Sequence, residues 1–316
     1  MHVRQANRRA VWAARLIVTV HVAVLGLPTP VAAQTGDRFV PYVVRVPGSV
    51  RGQGLNGAGV ALVGDAGAVF ANPAGIATIG HIGLEGGYRP APGGARFLTG
   101  AMGWRIRHLD LGVGGRYFDF GSAPARYLGP AATPGSYSRE ALVVGSLVYR
   151  FGMIALGASG KYARRSIDST HVRGFTADAG LAIAFFDIMA FALSVQNIGG
   201  NWQGSSLLEL PRMTRLGFTM NYVDPQESFR LLSTFEVQWL DGGGNRAVIG
   251  GEGGVVLHGV GIIGRLAYGG GTPFLPGAGF TFGGTVRIGV LNADYAYRRA
   301  DLLGEPAHTI GVRLTL

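Results

Sequence analysis

The sequence of 316 residues contains no cysteine, and only 15% of its residues are charged. Without cysteine the chain forms no disulfide, so packing or hydrogen-bond ladders must hold it together. Lys161 is the only lysine, and the arginines form no dense tract, which argues against a nucleic-acid partner. No apolar run reaches the roughly 18 residues of a membrane-spanning helix. These absences exclude a disulfide-stabilised domain and a helical membrane protein.

Patterns typical of enzymes and metal sites are also missing. The 7 histidines are scattered without the spacing of a zinc site, and no G-x-S-x-G nucleophile elbow occurs. Residues 52–57 match the dinucleotide fingerprint G-x-G-x-x-G, but Pro47 interrupts the preceding run and no acidic residue lies near position 77. We therefore predict a protein that is not an enzyme and that uses no cofactor and no metal.

The N-terminal residues 1–33 have the composition of a secretory signal peptide. Four arginines precede an apolar run over residues 16–27, and the small residues Val31, Ala32 and Ala33 form a cleavage site. The alternative is a membrane anchor, but such a run covers only about 18 Å of a hydrocarbon core roughly 30 Å thick. The sequence therefore predicts export.

From His81 onward, apolar residues alternate with small or polar ones, which is the pattern of β-strands. Leu109, Leu111 and Val113 share one face, and Asp110 shares the other with glycines. We count fourteen such segments, centred near residues 85, 100, 113, 145, 158, 178, 192, 217, 234, 250, 265, 281, 294 and 312. Residues 81–316 are therefore predicted to form an all-β fold, a 14-stranded antiparallel transmembrane β-barrel. Twelve or sixteen strands would also fit the length.

The predicted connections alternate in length around the barrel. Those after even-numbered strands are mostly tight, whereas residues 119–138, 164–172 and 199–211 form long loops. Short turns on the periplasmic side and longer loops outside are typical of the outer membrane of a Gram-negative-type bacterium. A soluble secreted β-sandwich or barrel is the alternative. Aromatic residues near strand ends and nearly uncharged outward faces favour the membrane.

The inward faces carry unusually small residues, including Gly112, Gly114 and Gly157. A barrel of fourteen strands is wide enough to enclose a cavity, so we expect a filler inside it. Lys161 and Asp178 also face inward on neighbouring strands. We predict that they form a charge pair across the wall, the alternative being two separately solvated charges.

Residues 54–80, GLNGAGVALVGDAGAVFANPAGIATIG, resemble the N-terminal signature shared by FadL-type hydrophobic-compound transporters and the PorV/PorQ outer-membrane proteins. The later segments RYFDFG, ALGASGKYARRSID, GFTADAGLAI, LSVQNIGG, LPRMTRLGF and LNADYAYR are similar to the PorV/PorQ barrel pattern in their order. The resemblance covers about residues 55–316. It implies a fourteen-strand barrel with an N-terminal hatch inside it. The short length favours the PorV/PorQ side.

The hatch is predicted over residues 34–80, inside the barrel. Asp65 is expected to cap a helical turn from Ala66, and Asn72 to cap a second turn with Pro73 in its first position. An ordinary leader strand and loop is the alternative. The residues predicted to control gating are Asp65, Phe70, Asn72, Pro73, Gly75 and Ile76.

Three functions are compatible with the sequence. The first is passive transport or binding of hydrophobic small molecules, which the FadL branch implies. The second, implied by the PorV branch, is an accessory barrel of a type IX-like secretion system, with the loop 119–138 or 199–211 binding secretion-system proteins. The third is a structural outer-membrane protein. In each case outer-membrane lipid is the expected surrounding partner, and no nucleic acid is expected.

Overall fold

The computed structural model describes residues 41–62, 64–121, 137–185, 188–203, 210–223, 228–241, 244–271, 279–299 and 305–316. The predicted signal peptide 1–33 and the first residues of the predicted hatch, 34–40, lie outside the described residues.

Fourteen antiparallel strands close into one barrel, which confirms the predicted fold class and strand number. Each strand pairs with its neighbours in sequence, and β1 pairs with β14 from Gly83 opposite Thr315 to Tyr88 opposite Ile310. Every predicted centre falls within a strand. The strands are β1 Ile82–Pro90, β2 Arg96–Ile106, β3 Leu109–Asp119, β4 Ser138–Phe151, β5 Ile154–Ile167, β6 Thr170–Phe185, β7 Met189–Gln203, β8 Met213–Val223, β9 Phe229–Leu240, β10 Gly244–Leu257, β11 Val260–Gly269, β12 Gly279–Ile288, β13 Leu291–Arg298 and β14 Ala307–Thr315.

Two-residue turns follow β2, β4, β10 and β12, where the sequence predicts tight connections. Residues 186–187 and 224–227, after β6 and β8, lie outside the described residues. Two predicted loops overlap strands. Residues 199–203 of the predicted loop 199–211 belong to β7, and the predicted loop 164–172 is wrong. Residues 164–172 continue β5 and β6, which are joined by a two-residue turn, Asp168 and Ser169. Asp168 has φ 49°, a left-handed conformation that aspartate tolerates in tight hairpins. The run of polar residues indicated a loop, but here the strands extend beyond the apolar part of the wall. Most of the loop 119–138, and residues 204–209 of the loop 199–211, lie outside the described residues.

The two faces of the wall differ in polarity. Leu111, Val143 and Ile262 belong to an exposed, largely apolar outward face, whereas inward Asp110 and Glu236 are buried. An apolar exterior around a polar interior is the arrangement of a membrane barrel rather than of a soluble one. Among the helices that the structure describes, none has the length and apolar character needed to cross a bilayer.

Residues 41–80, named the inner segment here, precede the barrel and pack against its inward-facing side chains. The segment has two short helices, α1 Tyr42–Arg45 and α2 Val50–Gly54, and two 3₁₀ turns, η1 Ala66–Phe70 and η2 Pro73–Thr78. A third 3₁₀ turn, η3 Pro92–Gly94, lies between β1 and β2. With so little regular structure, the inner segment must satisfy many backbone groups elsewhere.

Candidate functional site

Three glutamates of the wall accept hydrogen bonds from the backbone of the inner segment. Glu85 on β1 accepts from Val50 N at 3.2 Å and from Gly67 N at 3.0 Å. Glu236 on β9 accepts from the N–H groups of residues 59 and 60 at 2.7 and 2.9 Å, and Glu140 on β4 from the N–H of residue 43 at 3.0 Å. Each carboxyl group has two oxygens and can accept more than one such bond. The wall therefore supplies the partners that a longer helix would supply to itself.

The second 3₁₀ turn begins as the sequence predicts. Asn72 Oδ1 accepts a hydrogen bond from Ala74 N at 3.0 Å, and Pro73 occupies the first position of η2. The amide Nδ2 of Asn72 donates to Val60 O at 2.9 Å and to Leu181 O on β6 at 3.3 Å. Asn72 thus joins the turn, an earlier part of the inner segment and the wall through one side chain.

Asp65 does not cap η1, and that prediction is wrong. Its side chain makes no cap hydrogen bond, although Asp65 occupies the position before the turn. The carboxylate instead pairs with Arg51 Nη1 at 3.3 Å and with Arg313 on β14. Two guanidinium groups offer a buried carboxylate more electrostatic stabilisation than the free amides of a five-residue turn.

These contacts belong to a closed ring of six alternating charges, named the charge ring here. Glu252 accepts from Arg51 Nε and Nη2, both at 2.7 Å, and from Arg265 Nε at 2.6 Å. Asp294 closes the ring between Arg265 Nη2 at 3.1 Å and Arg313 Nε at 3.4 Å. Two members come from the inner segment and four from β10, β11, β13 and β14. The ring carries no net charge, which is what allows six ionised groups to be buried together.

The charge ring sets the ionisation of its inner-segment members. Burial raises the pKa of Asp65, but Arg313 and Arg51 together lower it more, so it lies below the ordinary value. For Arg51, burial lowers the pKa, and Glu252 and Asp65 raise it above the ordinary value. Both groups are therefore charged at neutral pH. We call this contact the ionic interface. Its inner-segment side is α2 together with Asp65, and its wall side is strands β10–β14.

Lys161 and Asp178 lie on neighbouring strands, and the structure brings them together. Lys161 Nζ lies 2.6 Å from Asp178 Oδ2, and it also donates to Asn197 Oδ1 at 3.3 Å. Asp178 Oδ1 accepts from Asn197 N at 2.9 Å. The neighbouring Gln196 Nε2 donates to Phe70 O at 2.9 Å, so this polar cluster lies beside the last residue of η1.

The other main contact of the inner segment is made by small residues of the wall. A Cβ atom at Gly157 would lie 2.6 Å from Ala74 N, and one at Gly180 would lie 2.0 Å from Asn72 Oδ1. Gly112 and Gly114, which the sequence also predicts to face inward, are equally close to the segment. A Cβ at Gly112 would lie 2.3 Å from Ile76 Cδ1, and one at Gly114 would lie 2.6 Å from Phe70 Cζ. These inward glycines leave room for the two 3₁₀ turns. We call this contact of η1 and η2 with β3–β6 the close-packed interface.

Two cavities between the inner segment and the wall lie near the tight turns. One, of about 350 Å³, is lined by five arginines including Arg230 and Arg287, together with Glu252, Asn221 and Asn292. The other, of about 90 Å³, is lined mainly by apolar and small residues. Its lining includes Val60, Ala61, Leu62, Gly75, Ala182 and Ala192. The interior therefore offers a charged space beside the charge ring and an apolar one beside η2.

Sequence reasoning found the turns and the charge pair but missed the charge ring. Its members are spread from position 51 to position 313, and no local motif connects them. A signal that could have found it is the strand alternation, which places Glu252, Arg265, Asp294 and Arg313 at inward-facing positions. Opposite charges on one inward face, at similar distances from the tight turns, predict such a network.

No protein-family model and no curated protein sequence matches the chain. Solved structures do match. A FadL homologue of Pseudomonas aeruginosa is similar with a TM-score of 0.57 and 13% identity, over 84% of this chain and 98% of that one. The P. putida toluene transporter TodX has a TM-score of 0.56 and 11% identity, over 86% and 99%. The CymD monoaromatic hydrocarbon channel has a TM-score of 0.56 and 14% identity, over 87% and 98%.

At these identities the likeness shows the fold, a barrel of the kind found in hydrophobic-compound transporters. The comparisons give no support to the PorV/PorQ side of the resemblance.

Proposed function

We propose that this protein is an outer-membrane barrel through which hydrophobic small molecules pass without an energy source. In this proposal residues 1–33 are the export signal, residues 34–80 the hatch and residues 81–316 the transmembrane barrel. The fold it shares with structures of a toluene transporter and a monoaromatic hydrocarbon channel supports the assignment. The largely apolar outward face supports insertion in a membrane.

The observation that carries the proposal is the apolar cavity beside η2. It lies between the inner segment and the wall, and its lining reaches Ile154 and Ile183 on β5 and β6. An apolar solute gains free energy by leaving water for such a surface, whereas the arginine-lined cavity would keep it in contact with charged groups. The path for the solute therefore follows the close-packed interface and avoids the ionic one.

The predicted gating residues have distinct parts in this path. Phe70 packs on Gly114, with the Arg116 guanidinium 4.1 Å from its ring centroid. Ile76 fills the space over Gly112. Asn72 and Pro73 set the start of η2, and Gly75 lines the apolar cavity. The path widens when the side chain of Phe70 or Ile76 moves away from the wall glycine on which it packs. Asp65 holds the opposite side of the segment in place through its ion pairs.

The test is uptake of a monoaromatic hydrocarbon into liposomes that contain the full chain. Ala182→Leu narrows the apolar cavity from the wall, and we expect uptake to fall by about tenfold, as a path closed by one side chain implies. Ala158→Leu, a substitution on the exposed outward face of β5, is the matched control. No uptake above empty liposomes by the unaltered chain would refute transport, and equal uptake by the two variants would refute the path.

A further inference from the structure

Near their long-loop ends, β5 and β6 carry a basic patch on the outside of the barrel. Arg164 on β5 and Arg173 on β6 lie directly opposite each other in the sheet register, and both are exposed on the outward face. The next row toward the long loops contains Arg139, Ser166 and His171. The outward face elsewhere is largely apolar, so a cluster of arginines on it is unusual for this wall.

The position of the patch along the strands matches the level of lipid headgroups. An aromatic pair, Tyr162 and Phe175 with ring centroids 4.9 Å apart, lies one row closer to the tight turns. Arg164 is ten residues from Ile154, where β5 begins at the tight-turn end. At about 3.4 Å per residue and a tilt of roughly 40°, that separation is about 25 Å along the membrane normal. This distance equals the usual height of the apolar band of a membrane barrel.

The acidic groups near the patch are engaged with other partners. Asp119 pairs with Arg96 at 3.3 Å, and Asp168 Oδ1 accepts from Tyr137 N at 2.9 Å. Arg139 stacks on Tyr137, with 4.6 Å between the guanidinium carbon and the ring centroid. Within the part of the chain that the structure describes, no carboxylate pairs with Arg164 or Arg173. Like charges directly opposite in a sheet destabilise it, so the pair gains from an anion placed between the two groups.

We infer that Arg164 and Arg173, with Arg139 beside them, bind the phosphate groups of an outer-leaflet lipid. Guanidinium groups bind phosphate oxygens through paired hydrogen bonds, and clusters of basic residues at a bilayer surface attract anionic lipid. The partner is a membrane lipid because the patch lies on the lipid-facing side of the wall, directly above the aromatic pair. This inference rests on the outer-membrane orientation of the proposed function and is independent of the solute path.

The test measures lipid binding by the purified full chain in a neutral sugar detergent. Lipid A with both phosphates, the same lipid after phosphate removal, and inorganic phosphate are compared by native mass spectrometry and by thermal unfolding. We expect the unaltered chain to bind the phosphorylated lipid about tenfold or more tightly than the phosphate-free one, the size of one charged hydrogen bond. The double variant R164Q/R173Q should lose this preference, and R164K/R173K should keep part of it.

Arg107→Asn is the control, since Arg107 is exposed at the tight-turn end and asparagine tolerates its φ of 56°. In detergent without anionic lipid, R164Q/R173Q should unfold at the same or a higher temperature than the unaltered chain, because the like-charge pair is gone. Equal retention of phosphorylated lipid by this variant, or an equal loss with Arg107→Asn, would overturn the inference. Equal stabilisation by inorganic phosphate would overturn the assignment to a lipid. None of these outcomes depends on hydrocarbon uptake, so transport and lipid binding fail separately.

Discussion

The inner segment meets one wall through two interfaces of opposite character. The ionic interface uses six buried charges and places α2 by directional bonds to β10–β14. The close-packed interface uses glycines and places η1 and η2 by shape against β3–β6. The cavity beside the ionic interface is lined with arginines, and the cavity beside the close-packed interface is mainly apolar. The comparison indicates that directional anchoring and close packing occupy different sides of the same segment, and the proposed solute path lies on the close-packed side.

The largest effect is expected from Glu252→Gln. The substitution leaves Arg51 and Arg265 without a shared carboxylate, and breaking a buried ion pair from one side costs about 3–5 kcal/mol. Hydrogen exchange of the α2 backbone amides should accelerate strongly, while that of η2 changes little. Glu305→Gln, at an exposed position before β14, is the control. Equal acceleration in both parts would show that the two interfaces are not independent.

Gly157→Val should disturb the other interface. The new side chain would meet the backbone of Ala74, and overpacking of this kind costs about 1–3 kcal/mol. We expect η2 to be displaced and ionic current through the barrel to increase, with α2 exchange unchanged. Gly160→Val is the control, because it also replaces a glycine of β5 but lies on the outward face with open space around it. A difference between the two variants is therefore due to the clash. An unchanged current in the first variant would contradict the close packing seen here.

Asn72→Ala should have a smaller effect, since loss of an N-cap costs about 0.5–2 kcal/mol. The substitution removes the bond to Ala74 N and both bonds donated by Nδ2. Asn72→Asp retains the acceptor and loses the donors, so the two variants apportion the effect between the cap and the wall. Protease cleavage within η2, measured as the temperature is raised, reports the local stability of both variants. Identical behaviour of the two variants would assign the whole effect to the donated bonds.

The smallest effect is expected from lowering the pH from 7 to about 4. The pKa of Asp65 is below its ordinary value in the folded chain, so its contribution to stability is complete above the ordinary value of about 3.9. That contribution is lost only as the pH falls through the lowered, folded-state pKa. The protection of α2 amides, corrected for the intrinsic pH dependence of exchange, should therefore fall only below pH 4, and Asp65→Asn should remove this part of the pH dependence. A large fall near pH 6 would contradict the assigned ionisation.

The barrel could be predicted from sequence because its period is local. Alternation fixes the face of each residue, as for Leu111 outward and Asp110 inward. Asn72 followed by Pro73 is a local signal as well, and the second turn begins there. Asp65 has the same local appearance, but its position next to Arg51 and Arg313 depends on closure of the barrel. The local sequence predicts which residues can cap a turn. Which partner a buried carboxylate binds depends on the three-dimensional arrangement.

The failure at residues 164–172 has a related cause. Charged residues there predict a loop only where strands end together with the apolar band. The alternation in fact continues, with Arg165 buried inward and Arg164 exposed outward. Polarity marks the edge of the bilayer, whereas hydrogen bonding marks the end of the strand, and the two edges do not coincide here.

The use of wall glutamates as partners for the inner segment also fixes an order of events during folding. Gly59 lies 177 positions before Glu236, and Val43 lies 97 before Glu140. Contacts so distant in sequence form only after the chain has paid the entropy of closing long loops. The segment is synthesised before every strand, yet its amides acquire partners only when β1, β4 and β9 have assembled. A segment that is made before the barrel therefore becomes ordered only with it.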